Sequence, residues 1–103
     1  MMNNYSMIIN GQSVAGEAGS FAVIDPATAA PFAECQAASL AQLDQAVDAA
    51  DTAFKTWQHS SHDERKALLH KIADSIEANA AELAEVIVRE QGKPLPLAQM
   101  EVG

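Results

Sequence analysis

The side chains that could do chemistry in this sequence are few and scattered. Cys35 is the single thiol. It sits in Phe32-Ala33-Glu34-Cys35-Gln36, a run with alternating faces, and no His is near it in sequence. A nucleophilic Cys needs its pKa lowered by a helix terminus or a cationic neighbour. Neither is in view, so Cys35 reads as a small, half-buried strand residue. His59 and His62 lie three apart, followed by Asp63 and Glu64. Two ligands across a turn between helices, with no third at metal-binding spacing, do not make a site. They read as solvated turn residues and as acids meeting a helix N-terminus. His70, between Leu69 and Lys71, reads as a helix-surface residue. Asp44, Asp48 and Asp51 recur on one helical face. Acid–base work would need one of these carboxylates desolvated, and their neighbours are not apolar enough for that. The chain has no G-x-G-x-x-G, G-K-[ST] or G-x-S-x-G motif. By residue chemistry alone it is a scaffold.

Two kinds of element must carry these residues. Residues 1–38 are β-branched or aromatic runs punctuated by turn pairs. Asn10-Gly11 between Tyr5–Ile9 and Gln12–Val14 predicts a hairpin, because a type I′ turn needs positive φ at both central positions. Gly16–Ser20 reads as a loop. Phe21–Ile24 reads as a strand, turned at Asp25-Pro26-Ala27-Thr28 into the return strand Phe32–Gln36. From residue 39 to residue 103 the period becomes 3.6. Ser39 with Gln42, and Ser61 with Glu64, have the spacing of capping boxes, and Asn79 with Glu82 gives a third N-cap signal. The stripe Leu40, Leu43, Val47, Ala50, Phe54 and Trp57 marks a helix of five turns, and is expected to be core. A second stripe holds Leu68, Leu69, Ile72 and Ile76, and a third Leu83, Val86 and Ile87. Gly92 stands where a left-handed C′ residue would stop the third helix. Pro94 and Pro96 are expected to break the chain before a fourth helical pattern at 97–102. The fold class is therefore α+β: two short β-hairpins, then three to four α-helices.

Composition narrows the function classes. Of the 103 residues, 49% are apolar, but 21 of those are Ala, so the expected core is thin and alanine-rich. The 14 acidic and 6 basic residues give a net charge of −8. That balance argues against nucleic acid and against an anionic membrane surface as partners. One Cys excludes an internal disulfide framework and suits a reducing compartment. No run is apolar enough for a membrane span. Residues 1–6 lack the basic and apolar regions of a signal peptide, so a cytoplasmic location is expected. The last helical pattern has barely begun at Gly103 and carries no cap, so the chain is expected to be cut from something longer.

Taken in order, these segments resemble the amino-terminal part of the NAD(P)-dependent aldehyde dehydrogenase superfamily. Ile8-Ile9-Asn10-Gly11 is similar to the family's opening "-ING-" hairpin. Phe21 to Thr28 resembles its "F-x-V-x-N/D-P-A-T-G" segment. Leu43 to Val47, with Ala49-Ala50, Ala53-Phe54 and Trp57, looks like its "V-D-x-A-V-x-A-A-x-x-A-F-x-x-W" helix. Glu64-Arg65, Leu68-Leu69, Ala73-Asp74 and Ile76-Glu77 follow its next helix, and Asn79, Glu82-Leu83-Ala84 and Glu90 to Leu95 its "N-x-x-E-L-A … E-Q-G-K-P-L" run. The last run leans toward semialdehyde-oxidising members. Ala29-Ala30 departs from the family, which usually has Gly after the Thr, so strain is expected at a turn that wants positive φ.

The resemblance implies several things. Residues 1–103 would be the leading part of a Rossmann-like NAD(P)-binding domain, whose helices need apolar partners mostly elsewhere. The family oxidises an aldehyde to an acid with NAD or NADP through a Cys thiolate, a Glu that activates water and an oxyanion-stabilising Asn, all beyond this segment. Cys35 is not that nucleophile. No catalytic or cofactor-binding residue falls inside the segment, so the chain alone is expected to be inactive. A monovalent cation, Na+ or K+, would be held by a backbone carbonyl of Val23 or Ile24 together with Glu90, where the family often has the shorter Asp. Unsatisfied apolar stripes predict a homo-oligomer. A different class of reading also stands: a small helical module without enzymatic role that assembles through those stripes.

Overall fold

A computed structural model describes residues 5–103. The element order is β1 (Met7–Ile9), β2 (Gln12–Val14), β3 (Ser20–Asp25), β4 (Ala30–Gln36), α1 (Leu40–Trp57), α2 (His62–Ala78), α3 (Ala80–Gln91) and α4 (Leu95–Val102). The expected α+β class is observed. The chain forms two compact units, residues 5–23 with 31–59, and Ile24–Ala30 with Ser60–Gly103.

In the first unit β1 and β2 pair antiparallel in the register Met7↔Val14, Ile8↔Ser13 and Ile9↔Gln12. Asn10 at φ 52° and Gly11 at φ 73° supply the two positive angles that the turn requires. Tyr5 forms an isolated parallel bridge with Cys35. β3 pairs with β4 in a second two-stranded sheet. Helix α1 opens on the expected capping box, with the Ser39 hydroxyl and the Gln42 side chain each serving the other's backbone amide. Gln42 does more than cap. It is only 4% exposed. Its Oε1 accepts from the Glu17 amide at 3.0 Å as well as the Ser39 amide at 3.1 Å, and its Nε2 donates to the Ala15 carbonyl at 2.7 Å. The loop ahead of β3 is thereby tied to the start of α1. Gly16 makes the close approach possible: its amide donates to Gln36 Oε1 at 2.6 Å, and a Cβ there would come within 2.5 Å of the Ala37 carbonyl oxygen.

In the second unit Asp25 organises the hairpin tip. Its Oδ1 accepts from the Ala27 amide at 2.8 Å and its carbonyl accepts from Ala29 at 2.8 Å, an Asx-type turn. Ala29 takes φ 57°, the left-handed strain expected where the family's Gly is missing. Helix α2 has the expected capping box at Ser61 and Glu64. Gly92 ends α3 at φ 71°, left-handed as expected. Buried Ala84 and Ala98 lie on α3 and α4, which pack against each other.

Three expectations are corrected. Asn79 is not a side-chain N-cap for α3. It holds φ −114° and ψ 16° rather than the extended angles of a cap, and its Nδ2 donates to the Ser75 carbonyl at 2.8 Å. Only this residue separates α2 from α3, so no loop frees the side chain to reach forward. Pro96 does not break the chain. It falls in the first turn of α4, where a missing amide costs nothing, and α4 starts at Leu95. The stripe on α1 is not core. Leu40, Leu43, Val47, Phe54 and Trp57 are all exposed, as are Leu68, Leu69, Ile72 and Ile76 of α2. The buried residues among those described are Ala33, Gln42, Ala84 and Ala98. Among the described residues the core is alanine-rich, as composition predicts, with Ala84 and Ala98 buried on the two helices that pack most closely, α3 and α4.

Candidate functional site

The residues singled out for chemistry are dispersed. Cys35 lies half-buried in β4, as expected. His59 follows α1 in the turn, His62 begins α2 and His70 lies on its surface, all exposed. Asp44, Asp48 and Asp51 are exposed along α1. Among the described residues no three His, Cys, Asp or Glu side chains gather as metal ligands.

The possible cation ligands stand as follows. Val23 is half-buried in β3, and Ile24 is the next residue of that strand. Glu90 is exposed in the last turn of α3. Ile24 and Glu90 belong to the same compact unit and Val23 to the other. Two residues beyond each of the former, the chain comes together: a Cβ on Gly92 would meet Pro26 Cγ at 3.1 Å. The hairpin tip thus abuts the C-terminal end of α3. Carbonyl and carboxylate oxygens are hard donors of the type that alkali cations take. A helix C-terminus adds partial negative charge.

One open groove lies within the first unit. It encloses about 450 Å³ between hairpin residues such as Ile9 and Val14 and the α1 residues Gln45, Asp48, Ala49 and Thr52. Asp48 is its one titratable side chain. A lone carboxylate among the Thr52 hydroxyl and the amides of Asn10, Gln12 and Gln45, with no second titratable group to activate or orient them, does not assemble a reaction site.

Sequence reasoning missed two relationships. The reach of Gln42 to Ala15 and Glu17 spans more than 20 positions, and only its local capping half had a spacing signal. The contact of Pro26 with Gly92 was signalled only by the separate turn and stop signatures.

What decides the family is the match of sequence and backbone together. The profile described as "Aldehyde dehydrogenase family" matches residues 13–103. The chain belongs to the aldehyde dehydrogenase family. It is 40% identical over 97 residues to N-succinylglutamate 5-semialdehyde dehydrogenase of Chromobacterium violaceum, covering 94% of this chain and 20% of that protein. Its backbone superposes on an NAD-dependent aldehyde dehydrogenase from Sinorhizobium meliloti with a TM-score of 0.93 and 32% identity, over 100% of this chain and 21% of that one. An NADP-dependent glyceraldehyde-3-phosphate dehydrogenase from Bacillus halodurans, solved with NADP, gives a TM-score of 0.92 at 28% identity, over 97% and 21%. The chain therefore spans about a fifth of the length of the relatives it matches. Among the described residues no helix is long and apolar enough to cross a membrane.

Proposed function

We propose that residues 1–103 are the N-terminal segment of an NAD(P)-dependent aldehyde dehydrogenase that oxidises a semialdehyde to its carboxylic acid. The observation that carries this reading is the family match over residues 13–103 with the semialdehyde dehydrogenase as a 40% identical relative. The segment's part is scaffold. Its hairpins and helices begin the cofactor domain, while thiolate, water-activating Glu, oxyanion donor and cofactor loop are supplied by the rest of the enzyme. NAD or NADP is the expected hydride acceptor, and an aldehyde is the expected substrate. Val23, Ile24 and Glu90 are the proposed ligands of Na+ or K+ through carbonyl and carboxylate oxygens, a role supported for Ile24 and Glu90, which share a unit, by the meeting of the hairpin tip with the end of α3. The enzyme is proposed to be a cytoplasmic homo-oligomer, in keeping with the single thiol.

The test compares two proteins. The purified 103-residue chain is expected to reduce neither NAD nor NADP with any semialdehyde, followed at the absorbance of the reduced nicotinamide. A full-length gene product carrying the segment is expected to do so. Reduction by the short chain overturns the scaffold reading, and inactivity of the full-length product with all aldehydes overturns the enzymatic one.

The exposed stripes of α1 and α2 favour a second reading, a self-associating helical module. It requires a defined oligomer whose thermal transition depends on concentration. Sedimentation of the chain as a monomer removes it.

A further inference from the structure

Four Asn residues occur in the sequence, and Asn10 alone precedes a Gly. The pair forms the two-residue turn between β1 and β2, and both residues are exposed. A Cβ on Gly11 would meet nothing within 4 Å, so the turn stands clear of the rest of the molecule. Asn79 has a different setting. It precedes Ala80, the first residue of α3, and its Nδ2 donates to the Ser75 carbonyl at 2.8 Å.

An Asn side chain can close a five-membered ring with the backbone nitrogen that follows it, and a following Gly has no side chain to obstruct the closure. The Gly11 nitrogen attacks Asn10 Cγ. The new N–Cγ bond forms as the amide proton passes to solvent. The Cγ–Nδ2 bond breaks, and the departing nitrogen takes a proton from water and leaves as ammonia. Water then adds to one of the two carbonyls of the resulting succinimide, and the ring nitrogen regains a proton. Opening at Cγ gives aspartate. Opening at the backbone carbonyl gives isoaspartate, whose main chain runs through Cβ. In sum one water hydrolyses one amide, with no change of oxidation state.

The fold permits the closure and decides its effect. β1 and β2 have three residues each, and a two-stranded ribbon so short is marginal by itself and opens locally at little cost. Aspartate before Gly suits the same turn, so that product keeps the register. Isoaspartate puts one extra backbone atom into a two-residue loop, and loop length fixes the register of a hairpin. The pairing of Ile9 with Gln12 beside it is then lost. Both products also set a carboxylate in the groove that Asp48 lines, in a chain of net charge −8.

We propose that Asn10 is a modification site, converted with the Gly11 nitrogen and water to aspartate and isoaspartate, and that the isoaspartyl form releases β1 from β2. Neither step depends on the oxidation of an aldehyde.

The purified protein, incubated at neutral pH, is followed by peptide mass mapping, with electron-based fragmentation to tell isoaspartate from aspartate. The mass gain of an amide turned acid is expected at least about tenfold faster at Asn10 than at Asn79, because the short hairpin opens more readily than a helix junction. Asn10→Gly, which retains a turn-forming pair, is expected to abolish the gain in that peptide. The isoaspartyl fraction, separated by anion exchange, is expected to lose the cross-strand NMR contacts of Ile8 with Ser13 while the β3–β4 pairing persists. Asn10→Asp, which adds the charge without the extra backbone atom, is expected to keep them. Equal rates at Asn10 and Asn79, or an unreacted Asn10 once a synthetic peptide of residues 7–14 has converted, overturns the modification. An isoaspartyl fraction that keeps the contacts, or an equal loss of them in Asn10→Asp, overturns the release of the hairpin.

Discussion

Gly92 lies close against Pro26: a Cβ on Gly92 would stand 3.1 Å from the Pro26 Cγ, a contact tight enough that the ring would have to give. The same glycine holds φ 71° at the end of α3 and donates its amide to the Val88 carbonyl at 2.8 Å. One position therefore stops a helix and seats a hairpin tip on it.

Replacing this glycine loads both demands on one Cβ. Gly92→Ala is expected to destabilise the chain by roughly 1–3 kcal/mol, from left-handed strain plus the clash. Gly11→Ala faces open space at φ 73° and is expected to show the strain alone. Urea midpoints of the two variants measure the difference, and equal losses would mean that the Pro26 contact carries nothing.

The opposite substitution applies at the hairpin tip. Ala29 bears the left-handed angle that glycine takes freely. Ala29→Gly is expected to stabilise by about 0.5 kcal/mol, as relief of roughly 1–2 kcal/mol of strain exceeds the entropy that glycine loses on folding. A raised thermal midpoint confirms it, and an unchanged or lowered one does not.

Gln42 is the buried polar hub of the first unit. Gln42→Leu keeps the bulk but leaves the amides of Glu17 and Ser39 and the carbonyl of Ala15 without their partner. A loss of about 2–4 kcal/mol is expected. Amide exchange should quicken first at Glu17 and Ser39, so a uniform loss of protection would argue against a local hub.

The contact of α3 with α4 depends on the size of two alanines. Ala98→Leu places extra methylenes where Ala98 is buried and is expected to cost about 1–3 kcal/mol by overpacking. Leu97→Ala, at a neighbouring exposed position, is expected to cost under about 0.5 kcal/mol. Hydrogen exchange within 95–102 distinguishes a detached α4 from a merely strained one.

Much of the secondary structure was legible because its signals are local. Asn10-Gly11 sets its own turn, Ser39 with Gln42 and Ser61 with Glu64 cap their helices within one turn, and Gly92 stops α3 by its own backbone freedom. Asn79 misled because a cap also needs extended backbone, and that depends on how closely α2 precedes it. The candidate cation ligands were named by family resemblance. Spacing gave no sign of them, since a carbonyl donor has no residue signature.

The sequence by itself determined the element order, the α+β class and the alanine-rich character of the core, since periodicity, capping and composition act over a few residues at a time. Only the tertiary structure decided which helix faces pack. Amphipathic patterning shows that Leu40, Leu43, Val47 and Phe54 want cover, but cover depends on what lies within reach. The small side of α1, at Ala46 and Ala49, is the one turned inward. Nor could local signals bring Gln42 to Ala15 or Gly92 to Pro26, because contacts between residues far apart in sequence arise only when the whole chain closes.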